Sequence, residues 1–535
     1  MKKLRLNLPV AVLLLVLLFV AGVRIRLLAI PLERDEGEFA YGGQLMLQGI
    51  PPYQLFYNMK FPGIYAAYAV LIKMFGQSDS GIHFGFLLVN LACIWLLYRL
   101  ARRFLDAPGA VAAAASYALL SMSPVLLGLA AHATHFVVAA ALAGLLLLLR
   151  GEDSGKGVMF FCSGLLLGMA CLMKQPGAMF GLFGFCLLVV RGAREREQWR
   201  VHCRKIVLYL MGLAAPLALT VVILWQAGVF KRFWFWAVVY AKVHATSFGW
   251  SDAQLQLSNF FHSVPFAADG LFWITAGLGL ASLAVVKGEQ RGKFWLAAFL
   301  IFSIMAVSLS GYFSRHYFVM LLPALCLLAG HAVSAAMQWA RAGNRNKTWM
   351  ALPIGLFVLM WMQVVFHHRE IFFVLSPNQA CKKLYPPNPF VECRQIGLYL
   401  RAHSAPGDRI AVLGSEPEVF FYAQRHSATG YIYMYDFFLD HPYAKEMQNE
   451  MITQIEKTRP EYMVLVKTPF SWDVRPDYLR VTNTPVIIWA RKFVQDFYAP
   501  AGLAVIKPDP EYYWGGDALS HMPSDGSFIS IFKRK

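Results

Sequence analysis

Glu33-Arg34-Asp35-Glu36-Gly37-Glu38 stands immediately beyond the first apolar run of the chain, and Lys60-Phe61-Pro62-Gly63 returns a cation further on. Between them the segment is aromatic, with Phe39, Tyr41, Tyr53, Phe56 and Tyr57 interleaved. A solvated loop would explain scattered charges but not this aromatic content, which suits the membrane–water boundary, where Tyr and Trp are favoured. A carboxylate held there can take the proton of an attacking hydroxyl as general base. A nearby Lys or Arg can stabilise the charge that develops on a departing phosphate. Asp35 or Glu36 fits the first role and Lys60 the second, with Arg34 and Tyr53, which closes Gly49-Ile50-Pro51-Pro52-Tyr53, as candidate substrate contacts.

Other groups stand at the ends of apolar runs. Lys174 lies in Lys174-Gln175-Pro176-Gly177, and Arg315-His316-Tyr317 opens another run. Long cationic side chains at such ends can merely snorkel to the interface, but a phosphate needs several donors converging on one face. His132 and His135 flank the short turn Ala131-His132-Ala133-Thr134-His135. They could meet a substrate, hold a divalent metal, or simply sit at the interface. Lys231-Arg232-Phe233-Trp234-Phe235-Trp236 reads as an amphipathic interfacial stretch.

The elements that must position these groups follow from composition. Of 535 residues 58% are hydrophobic and 15% charged, with 49 basic against 31 acidic side chains and a net charge of +18. A soluble domain carries about a quarter charged residues, so a purely soluble protein is excluded. Up to Leu375 there are 31 Lys and Arg against 14 Asp and Glu; the remainder holds 18 and 17. The basic excess therefore belongs to the apolar part, and the near-neutral remainder offers no basic face for nucleic acid.

A spanning helix needs roughly 20 apolar residues. The sequence predicts eleven: 7–28, 82–98, 108–130, 134–149, 157–173, 176–190, 206–227, 270–286, 294–312, 317–339 and 349–366. The first resembles a signal peptide but carries Arg24 and Arg26 where a cleavage site would sit, and reads as an uncleaved helix. Alternate loops collect 20 of those 31 basic residues on one side, which the positive-inside rule makes cytoplasmic. The segments 29–81, 131–135, 228–269 and 313–316 and the C-terminal part then lie outside. The expected architecture is an α-helical polytopic membrane protein of about 11 transmembrane helices (1–375, catalytic outer loop 29–81) followed by an extracytoplasmic α/β domain (376–535).

In that second part Arg409-Ile-Ala-Val-Leu-Gly-Ser and Tyr462-Met-Val-Leu-Val-Lys read as short buried strands and Met447 to Lys457 as a helix. Cys381 and Cys393 are its two cysteines, and an oxidising location would permit them to pair. The six other cysteines show no zinc-ligand spacing.

Taken together, Arg34-Asp35-Glu36-Gly37, Gly49-Ile50-Pro51-Pro52-Tyr53, Lys60-Phe61-Pro62-Gly63, Lys174-Gln175-Pro176 and Arg315-His316-Tyr317 resemble the GT-C membrane glycosyltransferases. The nearest branch is bacterial family 39, similar to protein mannosyltransferases and the aminoarabinose transferases of lipid A. The resemblance spans about 1–375. It implies an inverting transfer of one sugar from a polyprenyl-phosphate donor on the outer side of a bacterial inner membrane, to an envelope glycan, lipid or protein. Asp35 would be the acid/base residue with Glu36 beside it, and Lys60, Lys174, Arg315, His316 and Tyr317 would meet the donor phosphate. The second outer turn departs from the family pattern, having Thr134 between two His where relatives often carry an acid. Gly414-Ser415-Glu416-Pro417-Glu418 looks like part of a domain appended to some members, with Glu416 a candidate for shaping the acceptor site.

Two other classes compete. A transporter or flippase for a lipid-linked or anionic substrate would show repeats and polar groups at mid-membrane depth, whereas no repeat is visible and the polar groups gather at one face. A scaffold acting through its outer domain would need neither Asp35 nor Lys60.

Overall fold

A computed structural model describes residues 8–195, 199–246, 249–266, 268–285, 290–342, 347–472, 484–523 and 526–535. Apolar runs fold first into helices: α1 (Leu8–Arg26), α2 (Arg34–Leu47), α3 (Gly63–Phe75), α4 (Asp79–Ala101), α5 (Ala107–Leu120), α6 (Ala133–Ser154), α7 (Gly157–Met173), α8 (Ala178–Arg194) and α9 (Trp199–Gln226). A strap of short helices follows, α10 (Phe230–Trp234), α11 (Ala241–Thr246) and α12 (Trp250–Ser263), and then α13 (Asp269–Val285), α14 (Gln290–Ser308), α15 (Leu322–Ala342) and α16 (Lys347–His367). Each of the eleven apolar runs contains a helix, although 108–130 and 317–339 are not single helices, and among the described residues seven helices are long and apolar enough to cross a membrane.

Two segments differ most from the sequence reading. The run 108–130 is not one helix: α5 stops at Leu120, Ser123 caps a single 3-10 turn at Pro124–Leu126, and Leu127 turns the chain at φ 53°. The segment 29–81 is largely helical. Glu33 starts α2 with a capping box, its carboxylate accepting from the Glu36 N–H at 2.9 Å while Glu36 accepts from the Glu33 N–H at 3.3 Å, which satisfies two otherwise orphaned donors.

The C-terminal part carries α17 (Pro377–Leu384), α18 (Phe390–His403), α19 (Glu418–Ala423) and α20 (Ala444–Thr458) around a six-stranded mixed sheet. Its strands are β1 (Arg409–Leu413), β2 (His426–Ser427), β3 (Tyr462–Lys467), β4 (Tyr498–Val505), β5 (Glu511–Trp514) and β6 (Phe528–Arg534), in the order β2-β1-β3-β6-β4-β5. β1 is parallel to β2 and β3, while β6 is antiparallel to β3 and β4. β1, β3 and α20 occupy the segments expected. Cys381 and Cys393 are buried free thiols, so the bridge the sequence left open does not form here: they pack in different clusters, Cys393 beside the Glu418 carboxyl.

The sheet domain and helices α2 and α3 share one core, in which Phe39, Tyr41 and Tyr65 pack with Ile396, Val419 and Phe420. Two glycines permit the approach. A Cβ on Gly37 would lie 2.5 Å from the Glu418 Cβ, and one on Gly430 would lie 2.2 Å from the Tyr57 ring. The Tyr57 N–H donates to Gly430 O at 2.7 Å and the Ser427 N–H to Tyr41 Oη at 2.8 Å.

Candidate functional site

The capping box decides which carboxylate is free. It turns Glu36 inward, where it is 1% exposed, meets His83 Nε2 at 2.9 Å and accepts from the Ala131 N–H at 2.6 Å. Glu36 thus ties α2 to the turn that leads into α6 and is withdrawn from solvent. Asp35, one residue earlier and about 100° round the helix, keeps a quarter of its side chain exposed. Lys60 Nζ donates to Asp35 Oδ1 at 2.9 Å and to Glu38 Oε2 at 2.6 Å. Tyr53, fully buried and held at φ 67°, donates to the Lys60 carbonyl at 2.6 Å. It steadies the lysine and is not open to a substrate.

Glu38 is the participant the sequence reading missed. It is fully buried and takes three donors: Lys60, Tyr65 at 2.5 Å and Tyr433 at 2.8 Å. The available signal was spacing, since Asp35 and Glu38 stand three apart on one helical face.

Two histidines from distant elements close the other side of Asp35. His132 Nδ1 lies 3.9 Å and His316 Nε2 3.7 Å from Asp35 Oδ2, and the two rings stack with centroids 4.2 Å apart. His132 is buried, not merely interfacial. Lys174 Nζ lies 3.5 Å from His316 Nε2 and 3.6 Å from the Tyr317 ring centroid. Asp35, His132 and His316 each present one ligand atom within 4.8 Å of the others, and neither His132 ring nitrogen has a hydrogen-bond partner among the described residues. Among the described residues these three could hold a divalent cation, with a nitrogen and oxygen donor set of the kind zinc takes.

The remaining candidates scatter. His135 is buried against Phe86, with ring centroids 4.8 Å apart, and takes no part in the cluster. Arg315, next to His316 in the chain, lines a separate cleft of about 440 Å³ with His368 and Lys383. Arg34 points into the sheet domain, donating to Ser415 O at 2.6 Å and pairing with Glu416 at 3.2 Å. Glu416 also accepts from Ser471 Oγ at 2.7 Å and is fully buried, so it is an anchor and not an open acceptor surface. The 231–236 stretch divides: Trp234 is exposed, while Trp236 is buried and stacks on Tyr57 at 5.6 Å.

Electrostatics follow from this packing. Burial would push Asp35 up, but Lys60 above all outweighs it and holds the carboxyl well below the usual range. Burial would lower Lys60, yet Asp35 and Glu38 keep it charged. Lys174 lacks so close a carboxylate, and burial brings it down to about 7. Burial lowers His132 to about 4 and His316 in the same direction. The site is therefore an ionised carboxylate among cations and neutral imidazoles, arranged to receive an anion and a proton.

Residues 60–225 match the family model described as dolichyl-phosphate-mannose-protein mannosyltransferase. No curated protein sequence matches the chain significantly. Among solved structures, ArnT from Cupriavidus metallidurans bound to undecaprenyl phosphate superposes with a TM-score of 0.56 at 17% identity, covering 86% of this chain and 92% of that one. Its apo state gives 0.57 at 15% identity, covering 98% and 97%. The archaeal oligosaccharyltransferase AglB from Archaeoglobus fulgidus, in complex with an inhibitory peptide and a dolichol-phosphate, gives 0.52 at 13% identity, covering 100% and 76%.

Proposed function

Starting from a multi-pass membrane protein built on the GT-C glycosyltransferase fold, we propose that the chain transfers a sugar from a polyprenyl-phosphate donor to an acceptor at the outer face of a bacterial inner membrane, with inversion. The observation that carries this reading is the Asp35–Lys60 pair, a partly exposed carboxylate bound at 2.9 Å to a lysine, with Lys174 and His316 beside it.

The donor phosphate meets Lys60 and Lys174. A phosphate competes with Asp35 for Lys60, so its arrival weakens the hold on the carboxylate and restores its basicity. Asp35 then takes the proton of the acceptor hydroxyl as the acceptor oxygen bonds to the anomeric carbon. The bond from that carbon to the phosphate oxygen breaks on the opposite face, and polyprenyl phosphate leaves with its charge on the two lysines. Positive side-chain charge aimed at the leaving group lowers the barrier because it needs no rearrangement during reaction. Tyr317 backs Lys174 with its ring face, as cation–π contact allows. In this reading the sheet domain lies outside, bounded near residue 375.

Asp35→Asn is the test. It keeps the shape and removes the base, so transfer in membranes should fall by ~10²–10⁴ with insertion and expression unchanged. Full transfer by this variant would overturn the reading.

A further inference from the structure

Tyr433 belongs to the sheet domain, 395 residues from the carboxylate it binds. Its hydroxyl donates at 2.8 Å to Glu38 Oε2, the same oxygen that accepts from Lys60 Nζ at 2.6 Å, while Oε1 is taken by Tyr65. Tyr433 is 3% exposed, and its surroundings are fixed: the Met434 N–H donates to Ser415 Oγ at 2.9 Å, and Ser415 O in turn accepts from Arg34 of α2. The hydroxyl is thus set on a frame that includes the start of the very helix bearing Asp35 and Glu38.

We propose that Tyr433 is a positioning residue of the donor-phosphate site: it shares Glu38 with Lys60 and so sets where the lysine stands between Glu38 and Asp35. The inference rests on the transfer reading above. With two donors on Oε2, Lys60 satisfies only part of that oxygen and remains available on the Asp35 side. Without the tyrosine hydroxyl, Glu38 has Lys60 as its sole partner at Oε2 and draws it inward, away from an arriving phosphate. The sheet domain is on this account part of the site, not an appendage to it.

The test uses the full-length chain in lipid nanodiscs with undecaprenyl phosphate as probe. Tyr433→Phe should bind it roughly tenfold more weakly, the size expected for losing one hydrogen bond to a charged group. Tyr41→Phe breaks a comparably buried bond between the same two parts of the chain, to the Ser427 N–H, and should bind like wild type. In a Glu38→Gln background, Tyr433→Phe should add nothing, because coupled residues are non-additive. Unchanged affinity in Tyr433→Phe, an equal loss in Tyr41→Phe, or additive losses with Glu38→Gln would each overturn the proposal while leaving Asp35 and the transfer reading untouched. Failure of the wild-type chain to bind the probe would overturn the transfer reading and this inference together.

Discussion

Lys60 donates at 2.9 Å to Asp35 across 25 residues of chain, from the turn before α3 to the first turn of α2. The pair holds low a carboxyl that burial alone would raise.

Removing the lysine should therefore change the pH dependence as well as the affinity. In Lys60→Ala the largest opposing influence on Asp35 is gone, so the carboxyl moves up towards the range burial dictates. The acid limb of the transfer profile should shift to higher pH, and undecaprenyl phosphate should bind more weakly. An unshifted acid limb would mean that Asp35 is not the titrating base.

Lys174 offers a second pH signature, of opposite sense. Burial lowers it to about 7, with Asp35 partly opposing, so its charge is lost as pH rises through that value. Wild-type affinity for undecaprenyl phosphate should fall over this window relative to Lys174→Arg, whose guanidinium stays charged. Parallel curves for the two proteins would remove Lys174 from the phosphate site.

Glu418 makes a prediction about stability. Burial first, and then its neighbour Glu416, raises its carboxyl from the ordinary range to about 8. A group whose native value is raised stabilises the fold below its unfolded value and loses that contribution as pH climbs through the native one. Melting temperature should decline between the ordinary carboxyl range and about pH 8, and Glu418→Gln should flatten the decline. An equally steep decline in that variant would place the titration elsewhere.

Topology and thiols can be checked together. A reporter active only beyond the membrane should work when fused after Lys535, and activity of a cytoplasm-only reporter there would invert the site. Protein purified without reductant and denatured should show Cys381 and Cys393 both free to alkylation, as their separate burial implies.

The apolar helices were legible in the sequence because apolar length is a local property, and each of the eleven runs contains a helix, although the break after Leu120 was not foreseen. The strands β1 and β3 were legible for the same reason. Asp35 and Lys60 could be singled out because charges are conspicuous in an aromatic loop. Which carboxylate stays partly exposed could not be read from neighbouring letters. It depends on the Glu33–Glu36 capping box and on His83 and the Ala131 N–H drawing Glu36 inward. Arg315 and His316 are adjacent in sequence yet face a separate cleft and Asp35 respectively, because the 3-10 turn at Arg315–Met320 rotates successive side chains apart. The His132–His316 stack and the bond from Tyr433 to Glu38 join elements far apart in the chain. Composition and spacing determine where apolar stretches fold and where charge collects, since those depend on neighbours along the chain. Only tertiary packing decides which charges meet, because a buried carboxylate persists only where donors from elsewhere in the fold reach it.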